Sequence, residues 1–259
     1  VFVDHPLFLA KVWGKTGDKL YGKASGADYT DNAKRFALFA KAVLDAPTML
    51  SSLEYGEDII FVCNDWHSAL VPVLLRKEFQ PKGKFLNAKS VMCVHNIAFQ
   101  GRFWPTPLEE LGIPASAADD FFFEDGNPKI YDELNPMKAG TVEEAPSGKI
   151  YRKVNWLQAG FKNADKAVTV SVNYAKELIS GPAKGVELDK VLKAIGIEGI
   201  VNGMDPTEWN PAKDKFLDFP YDKTTVIEGK ACAKQALQAE VGLPIDPSAP
   251  LFGYIGRLE

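Results

Sequence analysis

Five short stretches place side chains able to do chemistry directly after apolar runs. They are Asn64-Asp65-Trp66-His67, His95-Asn96, Ser171, Asn202-Gly203 and Gly256-Arg257. Only three histidines occur in the chain, and two of them, His67 and His95, fall in this set. A carboxylate and imidazoles beside amides offer both hydrogen-bond donors and acceptors, which is what sugar hydroxyls require. Arg257 is always charged, and its planar fork matches phosphate oxygens, so it suits a departing diphosphate. A surface salt bridge is the other reading of a lone arginine, and Gly256 before it, which lets a ligand approach the backbone, balances the two. Together these residues favour an enzyme acting on a sugar that carries a phosphate or nucleotide.

Other chemistries lack their residues. The sequence has no Asp-x-Asp and no His-x-x-x-His, and Cys63, Cys93 and Cys232 are isolated, so a dedicated metal site is not expected. The Gly-x-x-x-x-Gly-Lys-Ser/Thr loop and the Gly-x-Gly-x-x-Gly fingerprint are both missing, which disfavours ordinary ATP sites and an NAD-type dehydrogenase. Gly-x-Ser-x-Gly is missing as well, against an α/β-hydrolase. Thirty basic residues against 34 acidic leave a net charge of −4, so no overall field draws nucleic acid or anionic membrane. No apolar run approaches the roughly 20 residues of a membrane helix. The odd cysteine count reads as reduced thiols.

The elements that must hold these residues recur along the chain. Short β-branched runs stand at Asp58 to Cys63, Ser90 to Val94, Lys166 to Val170, Gly199 to Val201 and Leu251 to Ile255. Helical patterns follow at Ser68 to Phe79, Tyr174 to Ile179 and Val226 to Val241. Strands apolar on both faces, alternating with helices, predict an α/β fold with a parallel sheet covered on each side. Ligands of such sheets bind at the carboxyl ends of the strands, where the five stretches lie. Pro105 to Asn155, rich in Pro, Gly, Asp and Glu, reads as a long irregular segment around Phe121-Phe122-Phe123. A domain boundary is expected near 205–211. The chain opens at Val1 without an initiator Met and stops just after a strand-like run, so it is expected to be a fragment.

Phe61-Val62-Cys63-Asn64-Asp65-Trp66-His67 resembles the strand-end motif of starch and glycogen synthases, and Val94-His95-Asn96-Ile97-Ala98-Phe99-Gln100-Gly101-Arg102-Phe103 resembles their histidine motif. Asn155-Trp156-Leu157-Gln158-Ala159-Gly160 with Thr169-Val170-Ser171, then Asn202-Gly203-Met204-Asp205 with Trp209-Asn210-Pro211, and finally Ile255-Gly256-Arg257-Leu258, are similar to further blocks in family order. Val12-Trp13-Gly14-Lys15-Thr16 and Glu177-Leu178-Ile179-Ser180-Gly181 look most like the granule-bound branch, which makes amylose in plastids.

The resemblance implies a GT-B glycosyltransferase of two Rossmann-like domains: 1–205, incomplete at its start, and 206–259, the hinge and beginning of the nucleotide-sugar-binding domain. It implies transfer of glucose from ADP-glucose, or UDP-glucose, to the non-reducing end of an α-1,4-glucan, with retention and without a cofactor or metal. Asp65, His95 and Arg257 would be catalytic. His67, Asn96, Gln100, Asn202, Gly203 and Gly256 would bind substrate. Starch granule and plastid follow as partner and place, with no nucleic acid or membrane. Three departures stand out. The family's Lys-Thr-Gly-Gly loop is absent, Lys15-Thr16-Gly17-Asp18 being a different sequence context, and Val172 replaces the usual Pro after Ser171. The stretch from Phe121 to Lys149 looks longer than in relatives. These 259 residues alone are therefore expected to be inactive. A non-catalytic granule-binding domain of the same fold is the alternative, although it has no need of Asp65, His95 and Arg257 at successive strand ends.

Overall fold

The computed structural model describes residues 2–9, 21–24, 27–49, 58–103, 108–122, 129–132, 135–141 and 154–256. The chain divides into two compact units, Val1–Val201 and Asn202–Glu259.

The first unit is built on a four-stranded sheet. Its strands are β1 (Ile60–Asn64), β2 (Lys89–Val94), β3 (Lys166–Thr169) and β4 (Glu198–Gly199). They lie in the order β4-β3-β2-β1, and every neighbouring pair is parallel. Sequential strands that lie side by side in parallel need crossovers, and helices supply them. Ser90, Met92 and Val94 of β2 are buried, with Val91 and Cys93 half-buried between them, as a strand covered on both faces requires. β1 differs. Phe61 and Cys63 are buried, whereas Ile60 and Val62 are 64% and 63% exposed, so only one of its faces is covered.

That covered face carries the core. Helix α1 (Asn32–Met49) turns Ala33, Phe36, Ala37, Ala40 and Leu44 inward, an apolar stripe at three- and four-residue spacing. It packs against α2 (Leu70–Leu74), which in turn meets α3 (Trp156–Asn163). The helical pattern predicted over Ser68 to Phe79 is realised as a 3₁₀ turn, α2, and a π-turn at Leu75–Phe79. Pro72 lies in the first turn of α2, where its missing N–H is not needed. In α3 the run Trp156 to Phe161 is buried throughout, as expected of a helix enclosed on all sides. Gly160 permits this, because a Cβ there would collide with Ala69. Further along, α4 (Val172–Leu178) and α5 (Asp189–Ile195) complete the unit.

Within Pro105 to Asn155, the described residues form several short elements. Short helical turns occupy Leu108–Leu111 and Ala115–Ala117, and a four-residue helix, Ala118–Phe121, sends Phe121 fully into the core. An antiparallel hairpin joins Lys129–Asp132 to Asn135–Thr141. Val154–Asn155 pairs with Arg102–Phe103.

In the second unit, α6 (Val226–Glu240) matches the expected helix. The run Leu251 to Ile255, read from sequence as a strand, forms none among the described residues. A β-branched apolar run becomes a strand only when a neighbour accepts its ladder bonds.

Candidate functional site

The parallel register of β1 and β2 pairs Asn64 with Cys93, so the turns that leave these strands start side by side. Asp65 prolongs the ladder by one bond, its N–H donating to the Cys93 carbonyl at 2.8 Å. Its backbone then turns sharply, at φ 53° and ψ −174°, a region that side chains rarely adopt. That turn directs the carboxylate across to β2, where Oδ1 accepts the main-chain N–H of His95 at 2.7 Å. The His95 side chain is exposed, with Nε2 2.9 Å from Asn64 Oδ1 and 3.5 Å from Cys93 Sγ. Burial and then the Asp65 charge raise the Cys93 thiol pKa, so Cys93 stays a neutral thiol.

His67 belongs to the same strand end but has different surroundings. Its ring stacks on Tyr21 at 4.6 Å between centroids, lies 4.3 Å from Trp66, and meets Phe36 edge-on at 5.0 Å. Burial lowers its pKa to about 4, against the opposing pull of Asp65. His67 is therefore a neutral ring in an aromatic stack. Beside it an apolar hollow of about 350 Å³ is lined by Phe8, Tyr21, Phe36, Phe61, Cys63 and other residues. Burial pushes the Cys63 thiol up to about 12. Asn64 and His67 of the strand end line this hollow as well, whereas Asp65 and His95 do not.

The loop after His95 is pinned at several points. Asn96 Oδ1 accepts the Ala98 N–H at 3.0 Å, and the Ile97 N–H donates to the Tyr174 hydroxyl at 3.1 Å. Gln100 is 3% exposed and committed at both ends of its amide. Nε2 donates to the carbonyls of Ile97 and Val186, while Oε1 accepts from Arg102 and from Asn155 Nδ2. Arg102 also pairs with Glu187 at 2.9 Å. Gln100 thus joins the loop to Val186 and Asn155 from inside the protein. Gly101 takes the left-handed turn there (φ 61°), pressed against the Trp66 ring where no Cβ would fit.

Ser171, at the end of β3, caps α4, its Oγ accepting the Tyr174 N–H at 3.0 Å. Asn202 and Gly203 open the second unit and are exposed. Gly256 belongs to that unit too, against the Tyr254 ring. Arg257 lies outside the described residues. The first unit therefore brings together Asp65, His95 and Asn96, with His67 alongside and Gln100 beneath. Asn64 was legible only as part of its strand end, and the packing of Tyr21 and Phe36 on His67 was not legible, because it is long-range. Among the described residues no group of three or more His, Cys, Asp or Glu could hold a metal ion.

A family model for the starch synthase catalytic domain matches residues 1–194. Curated relatives include granule-bound starch synthase 1, chloroplastic/amyloplastic, from Ipomoea batatas and from Solanum tuberosum, each 50% identical over 266 residues. The Arabidopsis thaliana protein of that name is 48% identical. Each match covers the whole of this chain but only 41% of the relative. Among solved structures, the catalytic domain of Starch Synthase IV from Arabidopsis thaliana, bound to ADP and acarbose, matches with a TM-score of 0.59 at 25% identity. That match covers 86% of this chain and 39% of the other. With its parallel α/β sheet, its paired strand ends and these relatives, the chain belongs to the starch synthase catalytic domain family of GT-B glycosyltransferases.

Proposed function

We propose that the complete polypeptide transfers glucose from ADP-glucose, with UDP-glucose as the alternative donor, to the non-reducing end of an α-1,4-glucan. The observation that carries this reading is the bond from the His95 N–H to Asp65 Oδ1, which locks two polar strand ends together at the edge where parallel sheets bind ligands. In the reaction, the bond between the glucose C1 and the diphosphate oxygen breaks, and a bond from C1 to the acceptor's O4 forms on the same face. The acceptor hydroxyl gives its proton to the departing diphosphate, and the nucleoside diphosphate leaves. Asp65 and His95 hydrogen-bond the transferred glucose as positive charge develops at C1, and Asn96 contributes at the rim. Arg257 neutralises the diphosphate, with Gly256 giving it room. Asn202 and Gly203 lead into 206–259, which we assign as the hinge and the beginning of the nucleotide-sugar-binding domain. The names of the relatives support a plastid setting on the starch granule, with amylose as the product.

Incubating the complete polypeptide with ADP-glucose labelled in the sugar and a maltooligosaccharide tests this directly. Chains lengthened by labelled glucose are expected. Glucan retained on the protein without any transfer would instead establish a binding domain.

A further inference from the structure

Asn64 has no assigned part in the site, yet its side chain meets Nε2 of His95. Its Oδ1 lies 2.9 Å from His95 Nε2, a full hydrogen-bond contact, while the other neighbour of that nitrogen, Cys93 Sγ, is at 3.5 Å. An amide oxygen only accepts, so Nε2 must carry the proton, and a thiol sulfur is the weaker acceptor. The main chain of His95 is fixed separately through Asp65 Oδ1. With its backbone held by Asp65 and Nε2 committed to Asn64, the ring has one nitrogen left to meet a ligand, Nδ1. An exposed imidazole otherwise samples several rotamers and both tautomers, and would spend freedom on binding.

We propose that Asn64 is a positioning residue that fixes the rotamer and tautomer of His95, leaving Nδ1 free to accept a hydrogen bond from a sugar hydroxyl. The inference rests on the proposed transferase reading, because it takes His95 to contact the glucose. The register that pairs Asn64 with Cys93 puts its side chain in reach of a residue 31 positions away, so strand pairing itself builds the contact. Asp keeps the acceptor oxygen, whereas Leu keeps the volume and removes it.

The test uses the complete polypeptide with 15N-labelled histidine, the His95 signals being assigned by their loss in His95→Gln. The expected spectrum has a protonated Nε2 whose hydrogen exchanges slowly enough to be seen, lost in Asn64→Leu and kept in Asn64→Asp. In glucose transfer, Asn64→Leu should lower kcat about tenfold with KM little changed, the loss of one hydrogen bond. Asn64→Asp should recover most of that rate. In a His95→Ala background Asn64→Leu should have no further effect, because the partner it positions is gone. A protonated Nδ1 in the unmodified protein, or an equal loss from Asn64→Leu with and without His95, would overturn the proposal. A polypeptide that transfers no glucose at all would remove the transferase reading, while the spectrum would still decide the anchoring by itself.

Discussion

The main-chain N–H of His95 donates to Oδ1 of Asp65 at 2.7 Å, so the turn that ends β1 is tied to the turn that ends β2. Both residues reach this position through register. Asn64 opposite Cys93 leaves Asp65 and His95 as the next polar groups on each strand, and the Asp65 backbone takes an uncommon conformation to close the gap.

That conformation has a measurable consequence. A non-glycine residue at φ 53° and ψ −174° costs about 1–3 kcal/mol, which glycine largely avoids. Asp65→Gly and Asp65→Ala both lose the bond to His95, so their difference reports the strain less the roughly 0.4–1 kcal/mol by which alanine ordinarily wins through the unfolded chain. Asp65→Gly should be more stable than Asp65→Ala by up to about 2 kcal/mol in urea denaturation, the reverse of that preference. An alanine variant more stable than the glycine variant by about 0.4–1 kcal/mol would show that no strain is stored there. Both should transfer glucose poorly.

His67 makes the fold sensitive to acid. Its folded pKa of about 4 lies below the ordinary 6.5, so the unfolded chain binds a proton first as pH falls. The stability from neutral His67 is fully present above about pH 6.5, and it falls away between there and about pH 4. The loss across that window is roughly 3 kcal/mol. His67→Phe keeps the stack on Tyr21 and Trp66 and removes the titration. Urea midpoints at pH 7, 5 and 4 should fall more steeply for the unmodified chain than for His67→Phe. Parallel curves would mean that His67 titrates normally.

What sequence revealed and what it hid follow the same physical line. The strands at Ser90 to Val94 and Lys166 to Val170 were legible because buried parallel strands are continuous apolar runs, and α4 because Ser171 caps it. The hairpin from Lys129 to Thr141 was not, because Pro136 and Gly140 within its second strand read as breakers. Asp65 and His95 were legible as polar residues at strand ends. The partnership of Asn64 with His95 and the stacking of Tyr21 on His67 were not, because both depend on contacts between distant segments.

Gln100 poses the question of whether a residue in a motif holds the loop or contacts substrate. It lies in the same run as His95, but its amide is buried and bonded to Ile97, Val186, Arg102 and Asn155. Gln100→Leu would leave several of these groups unpaired in the interior, at about 1–3 kcal/mol each. The variant should lose at least about 2 kcal/mol of stability, with turnover per folded molecule near that of the unmodified protein. A stable variant with a raised KM for the donor would instead make Gln100 a direct substrate contact.

His95→Ala should behave in the opposite way. The side chain is exposed, and its recorded polar contacts are with Asn64 and Cys93, both at the open end of the sheet. Removing an exposed ring from such a place changes stability by about 0.5 kcal/mol or less, so the melting temperature should hold. The chemistry should not hold. If His95 hydrogen-bonds the glucose as charge develops at C1, that contact is worth more in the transition state than in the bound substrate, and kcat carries the loss. One such preorganised contact is worth about 10²–10³-fold. The main-chain bond to Asp65 survives in the alanine variant, so the strand-end turns remain joined and the fall reports the ring alone. Steady-state transfer of labelled glucose beside thermal unfolding, both on the complete polypeptide, separates the two roles. A lowered melting temperature with normal turnover would make His95 a structural residue and leave Asp65 as the catalytic group of the first unit.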